Sequence, residues 1–234
     1  MSIVEAEYFY ELAAAFVRGR LSGESDFTAA EYELLNAPKT QLTSDRFQQL
    51  FELGKARGLK MHKFKKATSL ARVRSVLGIL RGLQPLELLD VGSGRGVFLW
   101  PFLEEFPCVP VTCVDSDPIR VRDILAVRDG GIERLCALEA DITKLDLPDR
   151  SFDVVTFLEV LEHIPDAQAA LNKVVQLARR FIVLSVPSHE DDNEGHVHLF
   201  SKSSLNSMLA NAGAQQGKFQ YVLNHMIIVA SVSH

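Results

Sequence analysis

The stretch Leu86-Glu87-Leu88-Leu89-Asp90-Val91-Gly92-Ser93-Gly94-Arg95-Gly96-Val97-Phe98 runs from an apolar segment through a glycine-rich turn into a second apolar segment. A short apolar run ended by turn residues reads as a buried strand, and the renewed pattern after it reads as the start of a helix. The turn itself is GxGxG, with glycines at 92, 94 and 96, and it lacks side-chain bulk where a ligand would lie. A glycine loop that leads from a strand into a helix N-terminus suits nucleotide-like ligands. It is not the GxGxxG of dinucleotide sites, because Val97 holds the last position.

Short apolar runs alternate with helical patterns on the C-terminal side of this loop. The strands read as 86–91, 109–114, 134–140, 152–158 and 180–186, with helices at 96–105, 118–128 and 167–179. That alternation implies parallel βαβ units with right-handed crossovers. A helix at 202–212, capped by Ser201 and closed by Gly213, then leads to strands at 217–223 and 226–232. With only Asn224 and His225 between them, those two strands should pair antiparallel. The pattern before residue 84 is helical: 3–17, 29–36, 44–54 and 70–83, with a poorly periodic basic stretch at 55–68. The sequence therefore divides before Pro85, into a helical extension at 1–84 and an α/β domain at 85–234.

Bulk composition is that of an ordinary globular chain, 47% hydrophobic and 24% charged, with a formal net charge of −5. No run approaches the length of a membrane span, and Glu5, Glu7 and Glu11 argue against a secretory signal. Cys108, Cys113 and Cys136 lack CxxC spacing and read as buried free thiols of a reducing, cytoplasmic compartment. The charge is unevenly spread. Nine of the chain's 25 lysines and arginines fall between Glu52 and Glu87, where no acidic residue occurs, leaving 16 against 30 acidic residues elsewhere. Lysines and arginines on such an extension either cover the acidic body or meet an anionic substrate.

In a doubly wound sheet the ligand lies at the carboxyl ends of the strands, near the switch point. Three features fall there. They are the loop with Asp90, Gly92, Ser93, Gly94 and Gly96, the Asp115-Ser116 pair closing the second strand, and Asp141-Ile142 after the third. A carboxylate at 115 suits the two hydroxyls of a ribose, and one at 141 suits an adenine amino group. Capping a turn is the less favoured reading of each acid. Together these residues resemble the class I S-adenosylmethionine-dependent methyltransferases, the type 11/12-like domains among them, over about residues 86–232. The resemblance implies a Rossmann-like, seven-stranded, mostly parallel sheet ending in an antiparallel hairpin. It also implies S-adenosylmethionine as methyl donor. The glycine loop would meet its methionine part, Asp115 its ribose, and Asp141 with the Ile142 backbone its adenine.

The fourth strand ends in Phe157-Leu158-Glu159-Val160-Leu161-Glu162-His163, and the loop after the fifth carries His189, His196 and His198. Glu159 is expected at the cofactor mouth, and His163 or His198 as the base that takes a proton from the acceptor. Glu159, Glu162, His163 and His198 also look like the metal site of the bacterial small-RNA 3′-end 2′-O-methyltransferases. A divalent ion there, with RNA along residues 55–74, is the less favoured reading, because similar sequences occur in metal-free relatives. The favoured one is transfer to an unidentified small-molecule or anionic acceptor, with O-methylation ahead of other chemistries. His62 and Arg72 would then serve as lid contacts. A non-catalytic cofactor-binding module that supports a partner is the other alternative. Neither an Asn/Asp-Pro-Pro-Tyr turn nor a nucleophilic cysteine stands where amino- or C5-directed enzymes need one, and the hairpin disfavours an NAD oxidoreductase.

Overall fold

The computed structural model describes residues 7–66, 70–189 and 193–232. Helices α1 (Tyr10–Leu21), α2 (Ala29–Leu35), α3 (Ser44–Ala56) and α4 (Ala71–Leu83) come first. The expected helix at 3–17 starts later and runs further, to Leu21, and its first residues lie outside the described ones. A short 3₁₀ turn, Met61–Phe64, occupies the basic stretch. Then follow β1 (Leu88–Val91), α5 (Leu99–Glu105), β2 (Val111–Asp115), α6 (Pro118–Asp129), β3 (Leu135–Glu139) and β4 (Phe152–Leu158). The chain closes with α7 (Ala167–Leu177), β5 (Ala178–Pro187), α8 (Lys202–Asn211), β6 (Lys218–Val222) and β7 (His225–Ser231).

The seven strands form one sheet in the order β3-β2-β1-β4-β5-β7-β6. Strands β1 to β5 are parallel, while β7 runs antiparallel to both β5 and β6. All four residues of β1 are buried, as a central strand covered on both faces requires. The hairpin turn falls one residue earlier than its sequence suggests. Leu223 takes a left-handed conformation with φ of 51°, so Leu223 and Asn224 make the turn and His225 opens β7. The helix expected from residue 96 begins at Leu99, because the glycine loop takes up the intervening residues.

Two apolar layers sandwich the sheet. One gathers α7 and α8 around Leu171, Val174, Leu205 and Leu209. The other gathers α5 and α6 together with α1, α3 and α4 of the extension, so these helices share a core with the sheet. Phe16, Phe64 and Trp100 pack in a row through this layer, tilted against one another, with ring centroids 5.3 and 5.1 Å apart. The helices α1 and α6 approach almost backbone to backbone; a Cβ at Gly19 or Gly130 would lie 2.0 or 1.7 Å from a carbonyl oxygen of the other helix.

At the floor of the sheet, far from the glycine loop, Asp153 is buried and accepts two 2.6 Å bonds from Arg180 and one of 2.8 Å from the Leu86 amide. This ties the start of β1 to β4 and β5. The three cysteines are free, but only Cys113 is fully buried; Cys136 is partly buried, and Cys108 is exposed because it sits in the loop before β2. Among the described residues no helix is long and apolar enough to cross a membrane.

Candidate functional site

The chain builds β1, β2 and β3 toward one edge of the sheet and then returns, so β4 pairs with the other side of β1. The loops after β1 and β4 therefore diverge and leave a crevice at their carboxyl ends. A cleft of about 190 Å3 lies there. It is lined by Asp90, Gly92, Ser93, Gly94, Leu158 and Glu159 of the sheet, with Arg72 and Val76 contributed by α4.

The glycines have different duties. Gly94, at φ of 54°, faces open space; an added Cβ would find only the Gly92 carbonyl oxygen, at 3.8 Å. A ligand can approach its backbone there. Gly96, at φ of 80°, lies on the Trp100 ring, where a Cβ would come within 2.1 Å. The indole is fixed in turn by its Nε1–H, which donates to the Arg95 carbonyl at 3.0 Å. Gly96 shapes the loop and does not line the cleft.

Asp90 is buried, with Oδ1 accepting from the Thr156 hydroxyl at 2.8 Å and Oδ2 without a hydrogen-bond partner. Burial pushes its carboxyl up to about 6. A buried carboxylate oxygen left unmatched on a cleft wall is what a cationic ligand group would complement. Asp115 holds the loop from behind: its Oδ2 accepts from the Gly94 amide at 2.8 Å and its Oδ1 from the Asp117 amide at 2.9 Å. Each oxygen retains a second lone pair for a sugar hydroxyl.

Glu159 stands at the end of β4 with φ of 55°, an uncommon conformation for a side chain of its size. Its Oε1 accepts from the Ser185 hydroxyl at 2.6 Å, and His225 Nδ1 lies 2.8 Å from its Oε2, although not aligned for a hydrogen bond. The other ring nitrogen, Nε2, faces Arg72 Nη1 at 3.5 Å. A guanidinium only donates, so Nε2 is the acceptor and the ring proton belongs on Nδ1, toward Glu159.

The remaining sequence candidates stand outside this cleft. Ser116 is exposed in the turn after β2. Asp141 is exposed, caps the Ile142–Lys144 turn by accepting from the Thr143 amide and hydroxyl, and is held below its ordinary carboxyl range by those bonds. Ile142 is buried in the α7–α8 layer. His163 is exposed, with Nδ1 2.8 Å from the Gly195 carbonyl oxygen. His198 turns its Nε2 to the carbonyls of Ile164 and Pro165, both at 3.1 Å. Glu159, Glu162, His163 and His198 are thus not brought together. Glu162, His163 and His196 are, with one ligand atom of each within 4.8 Å of the others. The sequence reading missed His225 and Ser185. A signal for His225 existed: the N-terminal end of an antiparallel β7 must lie at the same edge as the carboxyl end of β5.

Comparison with known proteins accords with this architecture. A family model described as a methyltransferase domain matches residues 89–180. The ubiquinone biosynthesis O-methyltransferase of Salmonella paratyphi A is 31% identical over 98 residues, 42% of this chain and 40% of that protein. The chain spans about a third to two fifths of the length of the curated relatives it matches. Among solved structures, a SAM-dependent methyltransferase from Aquifex aeolicus superposes with a TM-score of 0.57 at 18% identity, covering 70% of this chain and 98% of that one. Magnesium protoporphyrin IX methyltransferase from Synechocystis PCC 6803, solved with bound SAH, gives 0.54 at 16% identity and covers 96% of this chain and 97% of that one, extension included. Residues 89–180 thus match a methyltransferase domain, and the sheet around them has the fold of solved S-adenosylmethionine-dependent methyltransferases.

Proposed function

We propose that this chain transfers a methyl group from S-adenosylmethionine to an oxygen nucleophile on a small, anionic acceptor. The observation that carries the donor assignment is the cleft at the switch point, where the partnerless Asp90 Oδ2, the open face of Gly94 and the Arg72 guanidinium meet. These match the ammonium, chain and carboxylate of an amino-acid end. Asp115, behind Gly94, is the candidate for the ribose, and Asp141 with Ile142 for the adenine. When bound, the donor supplies a sulfonium methyl that is transferred by in-line displacement.

The protein's task is then to orient the acceptor, exclude water and take a proton from its hydroxyl. His163 and His198 are each engaged with a carbonyl away from the cleft lining. His225, flanked by Glu159 and Arg72, is the better candidate base, with the Nε2 lone pair released when Arg72 engages a ligand carboxylate. The O-methyltransferase relatives support oxygen as the acceptor atom. Calorimetry with S-adenosylmethionine, its demethylated product and NAD tests the donor. Unaltered donor affinity in Asp115→Ala would sink the ribose assignment. Transfer of a tritiated methyl group into fractionated extract tests catalysis against a supporting, non-catalytic role.

A second reading rests on Glu162, His163 and His196, whose donor set suits a divalent ion. The Gly195 carbonyl fixes His163 Nδ1 and leaves its Nε2 for such an ion. Methyl transfer unaffected by EDTA removes this reading.

A further inference from the structure

Six of the nine basic residues between Glu52 and Glu87 are spent on carboxylates, three within the extension and three on the α/β domain. Lys55, Arg57, Lys63, Lys65, Lys66 and Arg81 each pair with a carboxylate. Lys60, Arg72 and Arg74 make no ion pair among the described residues. Arg74 is exposed on α4, and Arg72 lines the donor cleft. Lys60 lines a second cleft, of about 290 Å3, between the Met61–Phe64 turn and the first turn of α6.

That second cleft is concave and basic. Lys60, His62, Lys63, Arg95 and Arg120 line it, against the single carboxylate of Asp123, which is taken by Lys63. Arg120 is partly engaged by Asp117 at 3.4 Å, and the side chain of Arg95 has no ion pair among the described residues. Trp100 and Ile119 provide its apolar wall. In a chain with more acidic than basic residues, two cations left without a carboxylate in one concavity set up a local positive potential that attracts an anion.

We propose that this cleft is a phosphate-binding subsite that holds a phosphate ester group of the methyl acceptor. The proposal rests on the methyltransferase reading only for the identity of the ligand as acceptor. The methyl donor carries no phosphate, and the proposed function gives its one carboxylate to Arg72, which leaves the second cleft free for another ligand. It shares Gly94 and Arg95 with the donor cleft, so a group anchored there lies on the other side of one loop from the donor. Several converging cations fit a multiply charged phosphate better than a lone carboxylate, and Arg95 and Arg120 supply forked donors for its oxygens.

Trp100 is the chain's single tryptophan and lines the cleft, so its fluorescence reports occupancy directly. Inorganic pyrophosphate titrated into the full chain should give saturable binding by fluorescence and by calorimetry. Lys60→Ala combined with Arg120→Ala should weaken it at least tenfold, and Arg74→Ala, an equal charge change on the same segment, should leave it within twofold. A nucleoside monophosphate and a short single-stranded RNA, run in parallel, separate a free phosphorylated metabolite from a nucleic-acid strand as the source. S-adenosylhomocysteine should not displace pyrophosphate, and its own affinity should survive the double substitution. Absence of calorimetric binding, or equal weakening by Arg74→Ala, overturns the subsite. If pyrophosphate binds but S-adenosylmethionine does not, the methyltransferase reading fails while the subsite stands.

Discussion

Replacing Asp90 by Asn separates the cost of a buried charge from its use. In the native chain the rise of the carboxyl from 3.8 to about 6 corresponds to about 3 kcal/mol against the ionised form. The folded state binds the proton more tightly than the unfolded one. Stability therefore falls as pH rises between these values, and the penalty is complete above about 6. Asn keeps an oxygen for the Thr156 hydroxyl and sets an amide NH2 where Oδ2 stood. That unmatched donor carries its own cost of about 1–3 kcal/mol, but the cost does not vary with pH. Urea denaturation at pH 4.5 and pH 8 isolates the titrating part, because about 1 kcal/mol of the penalty is already present at the lower pH. Relative to wild type, the variant should gain about 2 kcal/mol between the two conditions. Calorimetry at pH 8 should show S-adenosylhomocysteine bound roughly 10–100-fold more weakly, the loss of a charge-assisted hydrogen bond to its ammonium. A stability difference independent of pH would mean that Asp90 is not held ionised against burial. Unchanged affinity would mean that the ammonium lies elsewhere.

Other substitutions test the remaining parts of the site and its support. Gly94→Ala should cost about 1 kcal/mol for its positive φ and meet nothing in the protein, yet lower donor affinity tenfold or more by calorimetry. Gly96→Ala forces a Cβ into the Trp100 ring and should destabilise by about 3 kcal/mol or more in the same denaturation assay. Asp153→Ala removes the buried partner of the half-exposed Arg180 and should cost about 2–3 kcal/mol, less than a fully buried pair would. Arg180 holds the Asp153 carboxyl below its ordinary range. Its contribution is complete above that range and is lost as pH falls through the depressed value, so the variant should lose less stability than wild type on acidification. His225→Asn should leave donor affinity within twofold, slow methyl transfer on the order of 10²–10⁴-fold and flatten its pH profile. His198→Asn, whose ring is held on two carbonyls, should leave that profile unchanged.

Some of this was written in local sequence. The strand–loop–helix unit at Leu86 to Phe98, the alternation after it and the terminal hairpin follow from periodicity and turn chemistry, both properties of neighbouring residues. Asp90, Gly92, Ser93, Gly94 and Glu159 line one cleft because strand ends at a switch point must share one edge of the sheet. Boundaries were displaced where backbone conformation overrode pattern, as at Leu223 and at the loop before Leu99. The four histidines and acids at 159–163 and 198 look like one cluster in sequence, yet their side chains diverge. Glu159 turns to Ser185 and His225, while His198 turns to Ile164 and Pro165.

The sequence by itself thus determined the glycine loop, which lies within Leu86 to Phe98, and the class of the domain, which that loop indicates together with the acids closing the next two strands and the terminal hairpin. Only the tertiary structure decided the company that loop keeps. Arg72, which lines the cleft beside that loop, and His225 are 153 positions apart in the chain and meet in the fold. Lys60 and Arg120 face one concavity, while most of their basic neighbours are neutralised. A charge count cannot tell a paired lysine from an unmatched one. Ion pairing is settled by which carboxylate the folded chain brings within reach.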